Sequence, residues 1–369
     1  MPATSGTGWA FDSSMNADAP PVPTEGEATA DAVQHDVAEK FVAKGHSPHS
    51  PEARREAVIR TELALRKQGL GHRPPPSAAP AGRVLEIVKR VLVGAYYDGF
   101  IHAGNLAYMA LIALFPFFIT ATALMSAVGR TAEGVHALEV ILATMPPAVA
   151  DTLDEPVREV LMARSGLLLW LGAIVGLWTV GSLVETIRDI LRRAYGTTYS
   201  KSFWHYRLYS IGLIVAAVLL LLLSFSAQVI VTAIDEFVTR VLPTQFDAYF
   251  QLALTRGLSA LGLFLSLYLL FYTLTPSRYR SRRYPKWPGA LLTTLWWVGV
   301  TLALPPLLAG LLSYDATYGS LAGVMVTLFF FYLVGLGVVI GAELNAALAE
   351  TPGEQDLIGQ TDDRKAKEV

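Results

Sequence analysis

The chain has 369 residues, of which 53% are hydrophobic and 16% are charged, and its formal net charge is −2. Soluble domains carry about 25% charged residues, so this composition favours a membrane protein, and the near-neutral charge does not indicate nucleic-acid binding. Because cysteine is absent, disulfides, cysteine-based zinc sites, iron–sulfur clusters and a thiol nucleophile are excluded.

Residues 1–82 are predicted to form a disordered cytoplasmic tail that ends in a Pro-rich linker. Few aliphatic side chains, scattered proline and glycine and mixed charge make residues 1–50 typical of disorder. Residues 51–69 are the exception, because Pro51 suits a first helical turn and Gly69 suits a helix end. The tail is interpreted as solvated, with a partner-binding or regulatory role as the alternative.

An amphipathic helix is predicted over residues 83–101, just before the first long apolar run. Its apolar residues at helical spacing are Leu85, Val88, Val91 and Leu92. A basic amphipathic helix in this position is expected to lie in the membrane interface, where Tyr96 and Tyr97 are suitable anchors.

Six apolar runs follow, and each is long enough to cross a hydrocarbon core about 30 Å thick. They lie near 104–128, 166–184, 207–233, 252–274, 289–312 and 320–342. The sequence therefore predicts an all-α, polytopic membrane helix bundle over 83–350, with about six transmembrane helices. A soluble protein could bury one such helix, but six in succession are not expected in a soluble core.

The distribution of lysine and arginine predicts the orientation of these spans. Cations concentrate before the first span, in the second and fourth connections and in the tail at 351–369, whereas the alternate loops are poorer in cations. Since basic loops stay on the cytoplasmic side, both termini are expected to be cytoplasmic.

Five segments, in order along the chain, resemble one known family. They are AGNLAYMALIALFPFF (103–118), KSFWHYRLYS (201–210), PKWPGALLTTLWW (285–297), SYDATYGSLAGV (313–324) and GAELNAAL (341–348). Together they resemble the YihY/virulence factor BrkB family of bacterial inner-membrane proteins, formerly called ribonuclease BN. The resemblance implies a multi-pass protein of the bacterial inner (plasma) membrane, with transport or envelope-lipid export as its expected activity. Asn105 departs from the family pattern, in which a small residue is more frequent.

Polar residues near one end of three spans form the first candidate site. They are Asn105, Tyr108, Glu185, Glu343 and Asn345. Polar side chains within spans are costly to bury and tend to be functional, so these five are predicted to line a cavity open to the cytoplasm. The alternative is that headgroups and water solvate them at the interface.

A second candidate site consists of arginines next to the spans. They are Arg188, Arg192, Arg193, Arg280, Arg282 and Arg283. One hypothesis is that they contact anionic headgroups or form a phosphate site. The alternatives are exposed ion pairing within the helix that carries Glu185 and Arg188, and an ordinary positive-inside signal in the loop at 278–283.

Prolines within spans are predicted to break or kink two helices. Pro116 lies in the first span, and Pro305 and Pro306 lie in the fifth. Broken helices are a feature of transporters, although packing kinks are commoner. The Gly172-x-x-x-Gly176 and Gly337-x-x-x-Gly341 patterns are interpreted as close helix packing within the chain, with dimerisation as the alternative.

The chain lacks the motifs of several enzyme classes. Its seven histidines form no H-x-H-x-D-H metal cluster, and neither a Walker A sequence nor a nucleophile elbow is present. The chain is therefore expected to be no enzyme, to use no metal or cofactor and to bind no nucleic acid, so ribonuclease activity is not expected.

The leading hypothesis is a passive or ion-coupled transporter of a lipid or envelope component, with membrane lipids as partners. The rival hypothesis is a non-transporting scaffold or regulator of envelope assembly. The oligomeric state stays open, and a homo-oligomer is compatible with the sequence.

Overall fold

A computed structural model describes residues 25–69, 80–127, 142, 145–163, 167–198, 204, 206–216, 248–310 and 321–349. These residues form helices, turns and short connections, and they contain no strand. The helices are α1 (Glu25–Ala43), α2 (Pro51–Lys67), α3 (Pro80–Gly94), α4 (Phe100–Ala127), α5 (Pro147–Ala163), α6 (Leu167–Tyr195), α7 (Tyr206–Ala216), α8 (Ala248–Leu274), α9 (Trp287–Gly310) and α10 (Ala322–Ala347). A π-helical turn at Ala95–Gly99 joins α3 to α4.

Helix α10 is the centre of the bundle. It packs against α3, α4, α5, α6 and α9, which explains why most of its side chains are buried. Glycines let α9 approach closely, because a Cβ added at Gly337 would lie 2.4 Å from Trp296, and one at Gly341 would lie 2.2 Å from Thr293. The second Gly-x-x-x-Gly pattern therefore serves packing within the chain, as predicted.

The prolines do not interrupt the spans that carry them. Helix α4 continues through Pro116, and α9 continues through Pro305 and Pro306. At the first site Thr120 donates from its hydroxyl to the Pro116 carbonyl at 2.9 Å and to the Ala173 carbonyl of α6 at 3.1 Å. The predicted breaks at these prolines are corrected, because both helices are continuous there. Kinks at the prolines stay a prediction.

The all-α membrane fold class is confirmed. Within the described residues, four helical segments are long and apolar enough to cross a membrane, at Phe100–Thr120, Trp170–Tyr195, Trp287–Leu308 and Ala322–Ala347. Two shorter apolar segments, Tyr206–Ala216 and Ala260–Leu274, correspond to parts of the predicted third and fourth spans. The rest of the third run, from residue 217, lies outside the described residues, so the count of six spans stays a prediction.

The prediction of disorder is wrong for residues 25–43, which form α1. This helix pairs with α2 as a hairpin, because Val37 and Phe41 bury against Ala53. The predicted helix α2 is confirmed, with Pro51 in its first turn and Gly69 at a φ of +68° just beyond its end. Residues 1–24, 70–79 and 350–369 lie outside the described part.

The predicted amphipathic helix is α3, and its apolar stripe is divided between two environments. Val91 is buried, and α3 packs on α10. By contrast, Leu85 is 71% exposed and Leu92 is 64% exposed, and Tyr96 and Tyr97 also lie on the surface. An exposed apolar stripe next to a span suits the expected interfacial position.

Candidate functional site

A cleft of about 730 Å³ opens where the α1–α2 hairpin meets the ends of α6 and α8 and the start of α7. Its lining residues are Phe41, Glu52, Arg55, Glu56, Ile59, Arg188, Arg192, Gly196, Thr197, Thr198, Tyr206, Tyr209, Leu274, Thr275, Pro276, Ser277, Arg278 and Arg280. Five arginines face two glutamates among these residues, so the cleft is cationic. We call it the arginine cleft.

Arg188 and Arg192 supply the inner wall of the arginine cleft. They lie four positions apart on α6, so they share one helix face, and each is 5% exposed. The ring of Tyr206 on α7 lies 5.2 Å from the Arg188 guanidinium and 5.3 Å from that of Arg192. One aromatic ring therefore orients both guanidiniums through cation–π contacts.

Arg188 is partly neutralised within the bundle. It contacts Glu185 at 2.5 Å and donates to the Ser210 hydroxyl at 3.1 Å. Ser210 in turn donates to Glu185 at 2.7 Å. Glu185 thus holds Arg188 from behind the cleft and does not itself line it.

Arg280 enters the cleft from the connection between α8 and α9. Its Nη2 donates to the carbonyls of Thr273 at 2.7 Å and Thr275 at 3.2 Å, where α8 ends. Cations are favoured at helix C-termini because the last carbonyls lack helical partners. The Nε of Arg280 is buried and has no hydrogen-bond partner within the described part of the chain.

Glu52 of α2 closes the outer side of the cleft. It accepts from Arg278 at 2.6 Å and from the Tyr279 hydroxyl at 2.9 Å. Burial, followed by the Glu52 charge, raises the pKa of Tyr279, so its phenol stays protonated and donates. A carboxylate of the hairpin thereby occupies part of the cationic rim.

A second polar cluster lies where the loop between α1 and α2 meets the bundle. Ser47 donates to Glu343 of α10 at 3.1 Å. Arg54 donates to the carbonyl of Ala349 at 2.8 Å, and Arg193 donates to that of Gly45 at 2.9 Å. The loop is therefore fixed to the ends of both α6 and α10.

The five residues of the predicted polar cavity occupy different environments. Glu343 and Asn345 are buried, whereas Asn105 is exposed and Tyr108 is 56% exposed. Asn345 accepts from the backbone N–H of Gly289 at 2.8 Å and so joins α10 to α9. None of the five lines the arginine cleft, and their role in transport stays a prediction.

The predicted headgroup contacts divide in a similar way. Arg188, Arg192 and Arg280 come together in the cleft. Arg193 contacts Asp189 at 2.8 Å and the hairpin loop instead. Arg282 and Arg283 are exposed outside the cleft lining.

Sequence reasoning missed the cleft residues that come from α2 and α7. Glu52 and Arg55 lie in the tail, for which the sequence predicts a solvated segment. Tyr206 and Tyr209 lie in the basic-aromatic segment KSFWHYRLYS. That segment was the available signal, because aromatic rings next to arginines favour cation–π contacts.

The model of the family described as Virulence factor BrkB matches residues 97–366. The chain belongs to this family. Among its relatives is a protein of Bacillus subtilis (strain 168) named putative ribonuclease-like protein YfkH, which is 30% identical over 254 residues, covering 68% of this chain and 90% of the relative. No solved structure matches the chain.

A second relative is the UPF0761 membrane protein Rru_A2625 of Rhodospirillum rubrum. It is 28% identical over 277 residues, which cover 73% of this chain and 60% of the relative. Family membership and the apolar helices together make the chain an integral, multi-pass membrane protein.

The described residues offer no candidate metal centre that would correspond to the ribonuclease-like name of the first relative. Within them, no three His, Asp or Glu side chains come together in a group that could hold a metal ion. The expectations that the chain is no enzyme and uses no cofactor stay predictions.

Proposed function

We propose that this BrkB-family protein is a transporter that moves a lipid or envelope component across the bacterial inner membrane, passively or coupled to an ion. The observation that carries the proposal is the arginine cleft at one end of the helices. In this proposal that end, with its basic loops, faces the cytoplasm, consistent with the positive-inside rule.

The cleft suits a molecule with an anionic head and an apolar body. Its volume of about 730 Å³ lies in the range of ligand pockets, roughly 300–1,000 Å³. Arg188 and Arg192 supply positive charge at the inner wall, and Ile59 and Leu274 supply apolar surface. Desolvated arginines attract an anionic group more strongly than arginines in water do.

The test is lipid movement in proteoliposomes that contain the purified full-length protein. Labelled anionic lipid is placed in one leaflet, and its appearance in the other is timed for wild type, Arg192→Gln and Glu343→Gln. The control is Arg66→Gln, which removes an exposed arginine outside the cleft lining. We expect movement by wild type and the control, and a loss of rate in Arg192→Gln.

Absence of lipid movement with every lipid tested would contradict transport of lipid. The second candidate, a scaffold or regulator of envelope assembly, would then take its place. The observation that favours it is the α1–α2 hairpin, which is folded and docked on the bundle end and could receive a partner there. The variant Glu343→Gln tests the polar cluster around Glu343 separately from the arginine cleft, because Glu343 lies outside the cleft lining.

A further inference from the structure

We propose that the arginine cleft binds the phosphate group of an anionic amphiphile through Arg188, Arg192 and Arg280. This inference deepens the proposed function and rests on it for the role of the cleft in transport, but binding itself is measured without transport. The charged and apolar parts of the cleft lining together indicate the chemical class of the ligand.

The pair of arginines on α6 is preorganised. Side chains of arginine lose much rotamer entropy when they order around a ligand. Arg188 and Arg192 are already fixed by burial and by the ring of Tyr206. Both residues therefore hold positive charge at the wall of the cleft before a phosphate arrives, and the guanidinium group suits a phosphate anion.

Arg280 adds a third cation from the connection between α8 and α9. The carbonyls of Thr273 and Thr275, at the end of α8 and just beyond it, hold its Nη2. Arg280 lines the same cleft as Arg188 and Arg192, so three guanidiniums from α6 and from this connection surround one volume. Their combined positive charge favours an anion there.

The carboxylate of Glu52 shows that the rim already accommodates an anionic group, because it contacts Arg278 and Tyr279 at hydrogen-bond distance. Glu52 belongs to the hairpin, so an anionic ligand competes with a group of the chain itself for the rim.

The apolar part of the lining distinguishes an amphiphile from a small anion. Phe41, Ile59 and Leu274 face the cleft together with the arginines. Inorganic phosphate would use only the cationic part, whereas a lipid would also bury acyl or glycerol carbons against this surface. Inorganic phosphate and a phospholipid have the phosphate group in common.

The experiment measures the midpoint of thermal unfolding of the purified full-length protein in an uncharged detergent. The probes are short-chain phosphatidylglycerol, inorganic phosphate and short-chain phosphatidylcholine. A ligand that binds the folded state raises the midpoint with concentration. We expect phosphatidylglycerol to raise it at lower concentrations than zwitterionic phosphatidylcholine does.

Three variants test the residues, and a fourth serves as the control. Tyr206→Leu removes the ring over both α6 arginines, whereas Tyr206→Phe keeps it. Arg280→Lys keeps the charge but loses the planar guanidinium fork. We expect Tyr206→Leu and Arg280→Lys to weaken phosphatidylglycerol binding by roughly tenfold, about the loss of one cation–π contact or one charge-assisted hydrogen bond. Tyr206→Phe and the control Arg66→Gln, which removes an exposed arginine outside the cleft lining, should bind as wild type does.

The outcomes separate the sources of the ligand and the two proposals. Midpoint shifts by phosphatidylglycerol alone identify a lipid headgroup, and equal shifts by inorganic phosphate identify the phosphate as sufficient. No shift by either anion, or unchanged binding in both Tyr206→Leu and Arg280→Lys, overturns the site. Binding that persists without lipid movement in proteoliposomes contradicts the transporter proposal and leaves the site standing.

Discussion

Ser47 and Glu343 are 296 positions apart in the chain, and the Ser47 hydroxyl donates to the Glu343 carboxylate at 3.1 Å. Both side chains are buried, with exposures of 1% and 4%. Burying a carboxylate is costly without hydrogen bonds, so this contact stabilises the docking of the hairpin loop on α10. The α1–α2 hairpin is thereby coupled to the central helix of the bundle.

Ser47→Ala should loosen the hairpin. Loss of a hydrogen bond to a buried carboxylate costs about 1–3 kcal/mol, so we expect a lower midpoint of thermal unfolding and faster trypsin cleavage after Lys44, which is exposed in the loop. The matched control is Ser266→Ala, because the exposed Ser266 bonds only within its own helix, to Gly262 at 2.9 Å. Equal protease resistance of Ser47→Ala and wild type would contradict this role.

Gly94→Ala should disturb the same contact from the side of α3. A Cβ at Gly94 would lie 2.2 Å from Glu343 Oε2 and 3.0 Å from the Ser47 hydroxyl, so the carboxylate has to move. We expect destabilisation of about 1–3 kcal/mol, as for overpacking in a core. Gly104→Ala is the control, since its Cβ would meet nothing within 4 Å.

A double variant checks the cause of the Gly94→Ala effect. When Glu343→Ala is added, the clash disappears. The losses in free energy of unfolding of the two single variants should therefore sum to more than the loss of the double variant. Thermal unfolding of the four proteins gives the coupling. Strict additivity would show that the carboxylate is not the group that the new Cβ displaces.

Asn345→Leu should weaken the joint between α9 and α10. The Asn345 side-chain oxygen accepts from the N–H of Gly289 at 2.8 Å, and the first N–H groups of a helix have no partner within it. Leaving that buried donor unsatisfied should cost about 1–3 kcal/mol. Asn105→Leu is the matched control, because Asn105 is exposed and should change stability by only about 0.5 kcal/mol. Similar unfolding midpoints for the two variants would contradict a stabilising role of the Asn345 hydrogen bond.

Stability of the hairpin loop should fall as the pH drops below 6.5. Burial and, after it, the Arg90 guanidinium hold the pKa of His49 below its ordinary value of 6.5. In that window the unfolded chain binds more protons than the folded chain does, so stability rises with pH and is lost on acidification. The midpoint of thermal unfolding, measured from pH 7.5 down to about pH 5, should fall in wild type.

His49→Gln should reduce this fall of the unfolding midpoint, because the titrating group is gone. The control is His35→Gln, which removes an exposed histidine from α1 and should leave the pH profile unchanged. Identical pH profiles for wild type and His49→Gln would show that another group causes the loss of stability.

The sequence allowed part of the candidate site to be predicted. The spacing of Arg188 and Arg192 puts both on one face of α6, which follows from helical geometry alone. That Tyr206 lies over both guanidiniums depends on how α7 packs against α6, and no periodicity in either segment contains this information. Arg193, the direct neighbour of Arg192, points to the hairpin instead, because adjacent residues on a helix face different directions.

The tail shows why the remainder could not be predicted. Residues 25–43 have few aliphatic side chains, and disorder was the natural interpretation. Two of those residues, Val37 and Phe41, pack against α2. The loop that follows is hydrogen-bonded to Glu343 on α10. Most of a short helix's stability comes from such tertiary packing and not from intrinsic propensity.

By itself, the sequence determined that the chain is a helical membrane protein, because long apolar segments can satisfy their backbone groups in lipid only as helices. It also determined which segments carry the family resemblance and where cations concentrate. Only the tertiary structure decided that Arg188, Arg192 and Arg280 share one cleft, that Glu343 meets Ser47, and that Asn105 and Tyr108 face outward. The physical reason is that local pattern fixes the face of a helix on which a residue lies, whereas the packing of distant helices fixes what that face meets.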